Sequence, residues 1–276
     1  MIVRAPATSA NLGSGFDCAA VALELWNELE LTNGGGVVVE GEGGAGELAA
    51  DDSNLAVRAY ALLADPAGKR FRFTNRIPLE RGLGSSAAAI ALGLAAAAPN
   101  APFEQLLAAG LTLEDHADNL AAALLGGVTL TWDRHAARIA DTLPLAPVAV
   151  IPQARTKTEA ARAALPAQVP HSDAAASVAR AALLGAAAAA GNATLFAAAL
   201  DDRLHEPYRK SPALDAIRGD LPRGCAGATL SGSGPTVIAW ASDPASCAQA
   251  LRRRFVDANV LELAMAPHGA LASVKT

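Results

Sequence analysis

The segment PLERGLGSSAAA at residues 78–89 contains two glycines, Gly82 and Gly84, directly before a serine pair and a run of alanines. The preceding RFRF at 70–73 alternates charged and aromatic residues, so the pattern predicts a strand, a glycine loop and a helix that begins at Ser85 and Ser86. Glycine lets a backbone approach an anion closely, and the N–H groups at a helix N-terminus attract negative charge. The segment is therefore compatible with phosphate binding, and also with an ordinary loop followed by a serine-capped helix.

Two further glycine-rich segments lie far from this one in the chain. APATSANLGSGFD at 5–17 places small polar residues beside an apolar strand, and TLSGSGPT at 229–236 places a polar glycine turn between apolar strand residues. Such side chains suit a polar small molecule, but each segment alone is also typical of a tight connection between strands. A Walker A loop is absent, because Gly68-Lys69-Arg70 lacks the earlier glycine and the following Ser or Thr.

The rest of the chain predicts an α+β fold. Short runs of strand-forming residues cluster early, whereas longer Ala- and Leu-rich stretches have helical periodicity, so α+β is favoured over a doubly wound sheet. The Val run inside the glycine-rich 34–46 predicts a hairpin, and a composition shift at 141–147 predicts a domain boundary. The predicted strands are 1–4, 28–32, 37–40, 70–75, 128–132, 148–152 and 227–240. The predicted helices are 54–64, 85–97, 103–110, 116–125, 158–165, 174–184, 193–205 and 247–255.

Composition and charge argue against several classes of protein. A net charge of −5 argues against a nucleic-acid-binding protein, which would carry a basic surface. No apolar run reaches the about 18 residues of a membrane helix, and the alanine-rich 174–190, which comes closest, contains Arg180. The three cysteines are widely spaced and match no disulfide framework or zinc pattern. We therefore expect a soluble cytoplasmic protein with reduced thiols and without nucleic-acid or membrane partners.

Together, the three glycine segments resemble, in type and in order, the three motifs of the GHMP kinase superfamily, whose phosphate motif is PxxxGLGSSAA. Within it the chain is most similar to the homoserine kinase family, through PATSANLGSGFD at 6–17, HADN at 116–119, TEAAR at 158–162 and HEPYR at 205–209. The resemblance implies a two-domain α+β fold, with a ribosomal protein S5 domain 2-like N-terminal domain at 1–145 and a ferredoxin-like C-terminal domain at 146–276. It also implies a kinase that uses ATP and Mg²⁺ to convert L-homoserine to O-phospho-L-homoserine in threonine biosynthesis. A homodimer is compatible with the sequence.

The resemblance implies that the phosphate motif and the third motif hold the triphosphate of ATP. The Ser86 hydroxyl would reach Mg²⁺, and Asn54 would lie beside the adenine. The position of a metal-binding Glu in many family members is occupied here by Ala108, so the nearest upstream carboxylate, Glu114, is the expected metal ligand. The implied ATP-binding residues are Asn54, Pro78, Arg81, Gly82, Leu83, Gly84, Ser85, Ser86, Ala87, Ala88, Gly232, Ser233 and Gly234.

The resemblance also implies a site for a zwitterionic amino acid. An ammonium group needs carboxylates around it, and a carboxylate is well matched by guanidinium groups. Thr158 and Arg162 are four residues apart, so one helical face presents both side chains. The implied residues are Asn11, Asp17 and Asp118 for the amino group and hydroxyl, and Arg162 and Arg209, with Thr158 nearby, for the carboxylate.

The implied catalytic residues are Asp118, Asn119 and Thr158. Asn119 stands where several related kinases have Asp, and an amide cannot take up a proton. The substrate hydroxyl would then lose its proton directly to the γ-phosphate, with Asn119 and Thr158 orienting it, or to Asp17 or Asp118 acting as a base. Two other functions stay open: a mevalonate-type kinase of the same superfamily, since mevalonate also has a carboxylate, and a non-catalytic ligand-binding member of the fold.

Overall fold

The computed structural model describes residues 1–156 and 158–275. This part of the chain forms a six-stranded mixed sheet and a four-stranded antiparallel sheet, with helices packed on both. The strands are β1 (Ile2–Asn11), β2 (Gly15–Asn33), β3 (Val37–Gly41), β4 (Lys69–Asn75), β5 (Val128–Trp132), β6 (His135–Ala140), β7 (Ala146–Ile151), β8 (Cys225–Leu230), β9 (Val237–Ala241) and β10 (Asn259–Glu262). The α-helices are α1 (Leu55–Ala61), α2 (Ser85–Ala97), α3 (Phe103–Gly110), α4 (Ala117–Leu125), α5 (Thr158–Ala163), α6 (His171–Ala190), α7 (Ala193–Ala199), α8 (Pro212–Gly219) and α9 (Pro244–Arg254).

The first sheet is organised around the long strand β2. β1 pairs antiparallel along β2, and the order of the other strands is β3-β4-β2-β5-β6. Helices α2 and α4 pack on β1 and β2, while α1 and α3 pack on the outer side of α2. The alanines Ala88, Ala91 and Ala95 of α2 are completely buried, and their small side chains let these layers approach closely. This packing holds the N-terminus of α2 over the end of β1.

The second sheet has the order β10-β7-β9-β8 and is antiparallel throughout. Helix α8 packs on β8 and β9, and α9 packs on β7, β9 and β10. Its four strands, numbered along the chain, lie in the order fourth, first, third, second, which is the ferredoxin-like arrangement. The fully buried Trp240 anchors this sheet, since its Nε1 donates to Thr229 Oγ1 at 3.0 Å and its ring packs edge-on against Phe196.

The predicted α+β class and the ferredoxin-like arrangement are confirmed, and α2 and α3 have the predicted bounds. The predicted hairpin at 34–46 is wrong, because β4 occupies the edge of β2 and β3 pairs in parallel with β4. β1 and β2 are longer than predicted, since the polar Thr8 and Ser9 are fully buried inside the sheet. β6, β10 and α8 were not predicted: β6 and β10 have only six and four residues and carry little periodic signal, whereas Ser211 and Pro212 at the start of the amphipathic α8 were a usable signal.

Helix α6 and the C-terminal residues return to the first sheet. α6 packs on β2 and β6, and Lys275 pairs with Ile2 in an isolated bridge. α6 has the length and apolar composition of a membrane span, but it carries Arg180 at its centre, ion-paired with Asp201 at 2.9 Å. The division of the chain at residue 145 stays a prediction, with β7 as the first strand of the second sheet.

Candidate active site

An open cavity of about 1020 Å³ lies between the loop at 78–84, called the phosphate loop after the motif that it carries, and the two β-turns that carry the other glycine segments. Most of its walls come from the loop before α2, the β1–β2 turn, the start of α4 with the loop before it, helix α5 and the β8–β9 turn, and further parts come from Glu47 and Leu48, Thr156 and Arg209. A smaller cavity of about 430 Å³ adjoins it and shares five lining residues with it: Asp17, Asp115, His116, Asp118 and Arg162. The three segments predicted to carry the chemistry therefore meet at one site.

The helix at the phosphate loop begins without a side-chain cap. Gly84 is the N-cap residue, with a left-handed φ of 68°, and a Cβ there would lie 1.9 Å from Thr8 Oγ1. The expectation that Ser85 and Ser86 cap the helix is wrong, because the left-handed turn at Gly84 makes both serines its first helical residues. The first N–H groups of any helix lack intrahelical partners, and Ser85, Ser86 and Ala87 line the cavity. The site thus offers an uncapped helix N-terminus to an anion.

Close backbone packing joins the phosphate loop to the β8–β9 turn. Gly82 has a φ of 75°, and a Cβ there would lie 2.2 Å from the carbonyl oxygen of Ser231. Ser231 Oγ donates to Gly82 O at 2.6 Å and lies 2.9 Å from Ser9 Oγ. One serine side chain therefore links all three glycine segments.

Asn11 fixes the β1–β2 turn against the same region. Its buried amide Nδ2 donates to Gly232 O at 3.0 Å, and its Oδ1 accepts from the backbone N–H of Asp17 at 3.1 Å. Gly232 in turn donates its N–H to Ala10 O at 3.2 Å. Asn11 lines the cavity, but these contacts use its amide to hold Asp17 in place.

The start of α4 places a buried carboxyl group beside Asn119. Asp118 Oδ1 accepts from Asn119 N at 2.6 Å and from Asn119 Nδ2 at 3.2 Å, and Asn119 Oδ1 accepts from Thr8 Oγ1 at 2.7 Å. Burial raises the pKa of Asp118 to about 6, and the nearby charge of Asp17 acts in the same direction, against the hydrogen bond from Asn119. Asp118 therefore changes its charge close to neutral pH.

The residues predicted for the two ends of a zwitterion contact each other across the cavity. Arg162 Nη2, on α5, lies 2.7 and 2.8 Å from the two oxygens of Asp17. Both side chains are partly exposed, so this ion pair contributes little to stability. The ammonium group of a bound amino acid could replace Arg162 as the partner of Asp17, and its carboxylate could replace Asp17 as the partner of Arg162.

Arg209 is held by one side of its guanidinium group. Its Nη1 donates to Gly232 O at 2.8 Å and to His205 Nδ1 at 3.1 Å. Its Nε is buried and has no hydrogen-bond acceptor among residues 1–156 and 158–275. A carboxylate beside Arg209 would satisfy this group, and a guanidinium edge matches two carboxylate oxygens.

Glu114 and Ser86 both line the cavity and carry oxygen atoms of the kind that bind Mg²⁺. Burial opposes ionisation of Glu114, but the hydrogen bond from His116 Nδ1 at 2.8 Å and the charge of His116 lower its pKa below the usual value. An ionised carboxylate and a hydroxyl fit Mg²⁺, which commonly takes one or two protein oxygens together with substrate phosphates. The described residues contain no group of three acidic, His or Cys side chains that could hold a metal alone.

The structure brings most of the predicted site residues to this cavity. The predicted residues that line it are Asn11, Asp17, Gly82, Gly84, Ser85, Ser86, Ala87, Glu114, Asp118, Asn119, Thr158, Arg162, Arg209, Gly232 and Ser233. The predicted residues that are not part of its lining are Asn54, Pro78, Arg81, Leu83, Ala88 and Gly234. Thr158 reaches the third motif, since its Oγ1 lies 3.5 Å from Ser233 Oγ.

Three of the predicted residues that do not line the cavity have contacts that support the fold. Arg81 donates to the carbonyl oxygens of Leu79, Pro152 and Gln153, so its guanidinium group faces its own loop and the segment that follows β7. Asn54 caps α1 by accepting from Ala56 N at 3.0 Å, and Leu83 belongs to the hydrophobic core. Their expected contacts with ATP stay predictions.

Several lining residues were missed from the sequence. Glu47 and Leu48 come from the glycine-rich loop before α1, and Thr156 joins β7 to α5. His116 is part of HADN, and its position two residues before Asp118 was a usable signal. Glu47, Leu48 and Thr156 carried no signal in the sequence, because only the tertiary structure brings their loops to the cavity.

Two family models match the chain. The description GHMP kinases N terminal domain matches residues 54–127, and GHMP kinases C terminal matches residues 174–257. The first match includes the phosphate loop, and the second includes the HEPYR segment and the β8–β9 turn.

The chain is also similar to curated proteins over most of its length. It is 42% identical to a homoserine kinase from Gloeobacter violaceus, over 92% of this chain and 91% of the relative. It is 41% identical to a homoserine kinase from Streptomyces coelicolor, over 95% of this chain and 91% of the relative.

Solved structures share the arrangement. A homoserine kinase from Cytophaga hutchinsonii superposes with a TM-score of 0.81 at 26% identity, over 98% of this chain and 95% of that one. An L. major mevalonate kinase in complex with R-mevalonate superposes with a TM-score of 0.71, over 98% of this chain and 97% of that one. Its 14% identity shows a shared fold alone.

Proposed function

Because the chain belongs to the homoserine kinase family of the GHMP kinases, we propose that it transfers the γ-phosphoryl group of ATP to the hydroxyl of L-homoserine. The product would be O-phospho-L-homoserine, in threonine biosynthesis. The observation that carries this proposal is the pairing of two carboxylates and two guanidinium groups on one cavity, next to the uncapped N-terminus of α2.

The charges are matched to the chemistry of homoserine. Asp17 and Asp118 receive the ammonium group, and Arg162 and Arg209 receive the carboxylate. The hydroxyl, at the far end of a short flexible chain, then points toward the phosphate loop. Binding in this way aligns the nucleophile with the γ-phosphate, and alignment supplies much of the rate acceleration in phosphoryl transfer.

The first N–H groups of α2, with Gly82 and Gly84, form the cradle for the triphosphate of ATP. Mg²⁺ would be held by the Ser86 hydroxyl and the Glu114 carboxylate, and it would neutralise charge on the phosphates when bound. His116 keeps Glu114 ionised through the hydrogen bond to its carboxylate.

We assign no proton-accepting role to Asn119. Its Oδ1 is bound by the Thr8 hydroxyl and its Nδ2 by Asp118, so it positions both groups beside the substrate hydroxyl. The hydroxyl proton goes directly to a γ-phosphate oxygen, while Asp118 holds the ammonium group. Asp118→Asn tests this step: turnover at saturating L-homoserine should be retained within about tenfold, whereas a loss of several orders of magnitude would identify Asp118 as the base.

The function itself is tested by ADP release with L-homoserine, mevalonate and galactose measured side by side. We expect release with L-homoserine alone, together with formation of its phosphate ester. Clear release with another acceptor and none with L-homoserine would overturn the proposal. Nucleotide binding without release for any acceptor would indicate a non-catalytic member of the fold.

We further propose that the enzyme works in the cytoplasm, with residues 1–145 and 146–276 as its two domains. The described thiols Cys18, Cys225 and Cys247 are all free, which suits a reducing compartment.

A further inference from the structure

Behind the cavity, a fully buried histidine contacts the arginine of the carboxylate site. His205 is 0% exposed, and its Nδ1 lies 3.1 Å from Arg209 Nη1. Its Nε2 lies 3.1 Å from the carbonyl oxygen of Gly13 in the β1–β2 turn. The imidazole therefore bridges the HEPYR segment and the first glycine segment, away from the cavity lining.

The hydrogen-bond partners determine the protonation state of this ring. A guanidinium group can only donate, so His205 Nδ1 must be an unprotonated acceptor. A carbonyl oxygen can only accept, so Nε2 carries the proton and donates to Gly13 O. Burial lowers the pKa of His205 to about 4, and the charge of Arg209 acts in the same direction, against the carboxylate of Asp202, whose Oδ2 lies 3.7 Å from Nε2. The neutral tautomer with the proton on Nε2 satisfies both neighbours.

Surrounding groups hold the ring in one orientation. The backbone N–H of His205 donates to Asp202 Oδ2 at 2.7 Å, and the imidazole stacks on Phe16 with ring centroids 5.0 Å apart. The guanidinium carbons of Arg209 and Arg162 lie 5.5 and 5.7 Å from the centroid of the same Phe16 ring. Phe16 and His205 thus form an aromatic platform against which both guanidinium groups rest.

The contact with His205 determines which N–H groups of Arg209 are bound within the protein and which stay available. The two protons of Nη1 go to His205 Nδ1 and Gly232 O, which fixes the plane and rotation of the guanidinium group. Nε and Nη2 then remain on the opposite edge, and Nε is the buried group without an acceptor in the described chain. Without the acceptor at His205, Nη1 would keep only one partner and Arg209 could rotate.

We propose that His205 is a positioning residue for the acceptor substrate: its neutral Nδ1 holds Arg209 so that the free guanidinium edge meets the substrate carboxylate. This inference rests on the proposed function, which supplies that carboxylate. The contact between Arg209 and the substrate carboxylate is the same before and during phosphoryl transfer. Weakening it therefore raises the KM for L-homoserine and leaves kcat and the KM for ATP unchanged.

Two variants of His205 distinguish the effect of its Nδ1 acceptor from the effect of losing the imidazole ring. His205→Asn places an amide oxygen where Nδ1 stood and can still accept from Arg209, whereas His205→Gln places its amide near Nε2 and loses that acceptor. Both variants lose the imidazole ring, so any loss of stability from the missing stacking is shared. Thermal melting of both proteins confirms that the comparison is made between folded enzymes.

The expected result is a KM for L-homoserine raised roughly 10- to 100-fold in H205Q, the range of a lost charged hydrogen bond, and within about threefold of wild type in H205N. With 3-aminopropan-1-ol, which is homoserine without its carboxylate, kcat/KM should be the same in wild type and H205Q. Equal KM values in H205N and H205Q, or a defect in H205Q that persists with 3-aminopropan-1-ol, would overturn the inference. Absence of ADP release by the wild type with L-homoserine would instead contradict the proposed function, on which the inference depends.

Discussion

The two ends of the cavity recognise their ligands by different means. The phosphate end consists of consecutive residues, 82–87, and its donors are backbone N–H groups at the start of α2. The acceptor end consists of side chains from four separate segments, 11–17, 116–119, 158–162 and 205–209. A triphosphate carries one sign of charge and can be met by one helix terminus, whereas a zwitterion needs opposite charges at a fixed separation. The phosphate end should therefore be sensitive to backbone changes, and the acceptor end to changes of individual side chains.

The largest effect is expected at the phosphate end for Gly82→Ala. The new Cβ would lie 2.2 Å from Ser231 O, a backbone atom that cannot move away without shifting the β8–β9 turn. We expect kcat/KM to fall by at least about 100-fold for both substrates, because a displacement of about 1 Å has that effect on alignment. Gly185→Ala is the matched control, since Gly185 lies in α6 and the nearest atom to a Cβ is 3.9 Å away. A fully active G82A enzyme would show that the loop is not the phosphate cradle.

At the acceptor end, Arg209→Met should raise the KM for L-homoserine roughly 100-fold while the KM for ATP changes little. Removal of the guanidinium group takes away one of the two proposed charged partners of the substrate carboxylate and leaves His205 Nδ1 without a donor. Steady-state kinetics with each substrate varied in turn measures the separation of the two ends. Arg253→Met, on the exposed face of α9, is the control, and equal losses for ATP and L-homoserine would break the proposed division of the cavity.

Glu114→Gln tests the region between the two ends. Loss of the carboxylate should raise the Mg²⁺ concentration for half-maximal activity about tenfold, and excess Mg²⁺ should restore turnover. Titration of activity with Mg²⁺ provides the measurement, and Glu104→Gln, an exposed glutamate of α3, provides the control. An unchanged Mg²⁺ requirement would remove Glu114 from the metal site.

The pH dependence should also separate the two ends. Asp118 has a pKa of about 6, so it loses its negative charge below that pH and no longer attracts the substrate ammonium group. We expect kcat/KM for L-homoserine to fall about tenfold from pH 7 to pH 5, while nucleotide binding measured directly stays nearly constant. The acidic limb should disappear in D118N, and its persistence there would assign it to another group.

The smallest effect is on stability. Burial raises the folded-state pKa of Asp118 above its unfolded value of 3.8, so the folded protein favours the protonated carboxyl. The stabilisation is present at low pH and is lost as the pH rises through about 6. At pH 8, Asp118→Asn should therefore raise the melting temperature by a few degrees, although it weakens substrate binding. A lower melting temperature in D118N at pH 8 would show that the ionised carboxylate stabilises the fold.

The contrast between the ends also explains what could be read from the sequence. The phosphate loop and α2 were predicted with their bounds, because glycine, serine and alanine at 82–97 specify a local turn and helix. The expected capping by Ser85 and Ser86 is wrong, since Gly84 is the N-cap and its left-handed φ depends on close packing against Thr8, which the local sequence does not show.

At the acceptor end the charged residues were found, but their partners were not. The ion pair between Asp17 and Arg162 joins residues 145 positions apart, and no local pattern predicts such a contact. The role of His205 was hidden for the same reason, because its acceptor contact with Arg209 matters only once Gly13 and Phe16 have been brought beside it by the β1–β2 turn.

The most direct test of the account is a crystal structure of the enzyme with L-homoserine and a non-hydrolysable ATP analogue. The account predicts the triphosphate at the N-terminus of α2, the substrate ammonium group within hydrogen-bond distance of Asp17 or Asp118, and the carboxylate on the Nε edge of Arg209. The substrate hydroxyl should then face the γ-phosphate. A bound amino acid with its ammonium and carboxylate ends reversed, or one bound away from these side chains, would contradict it.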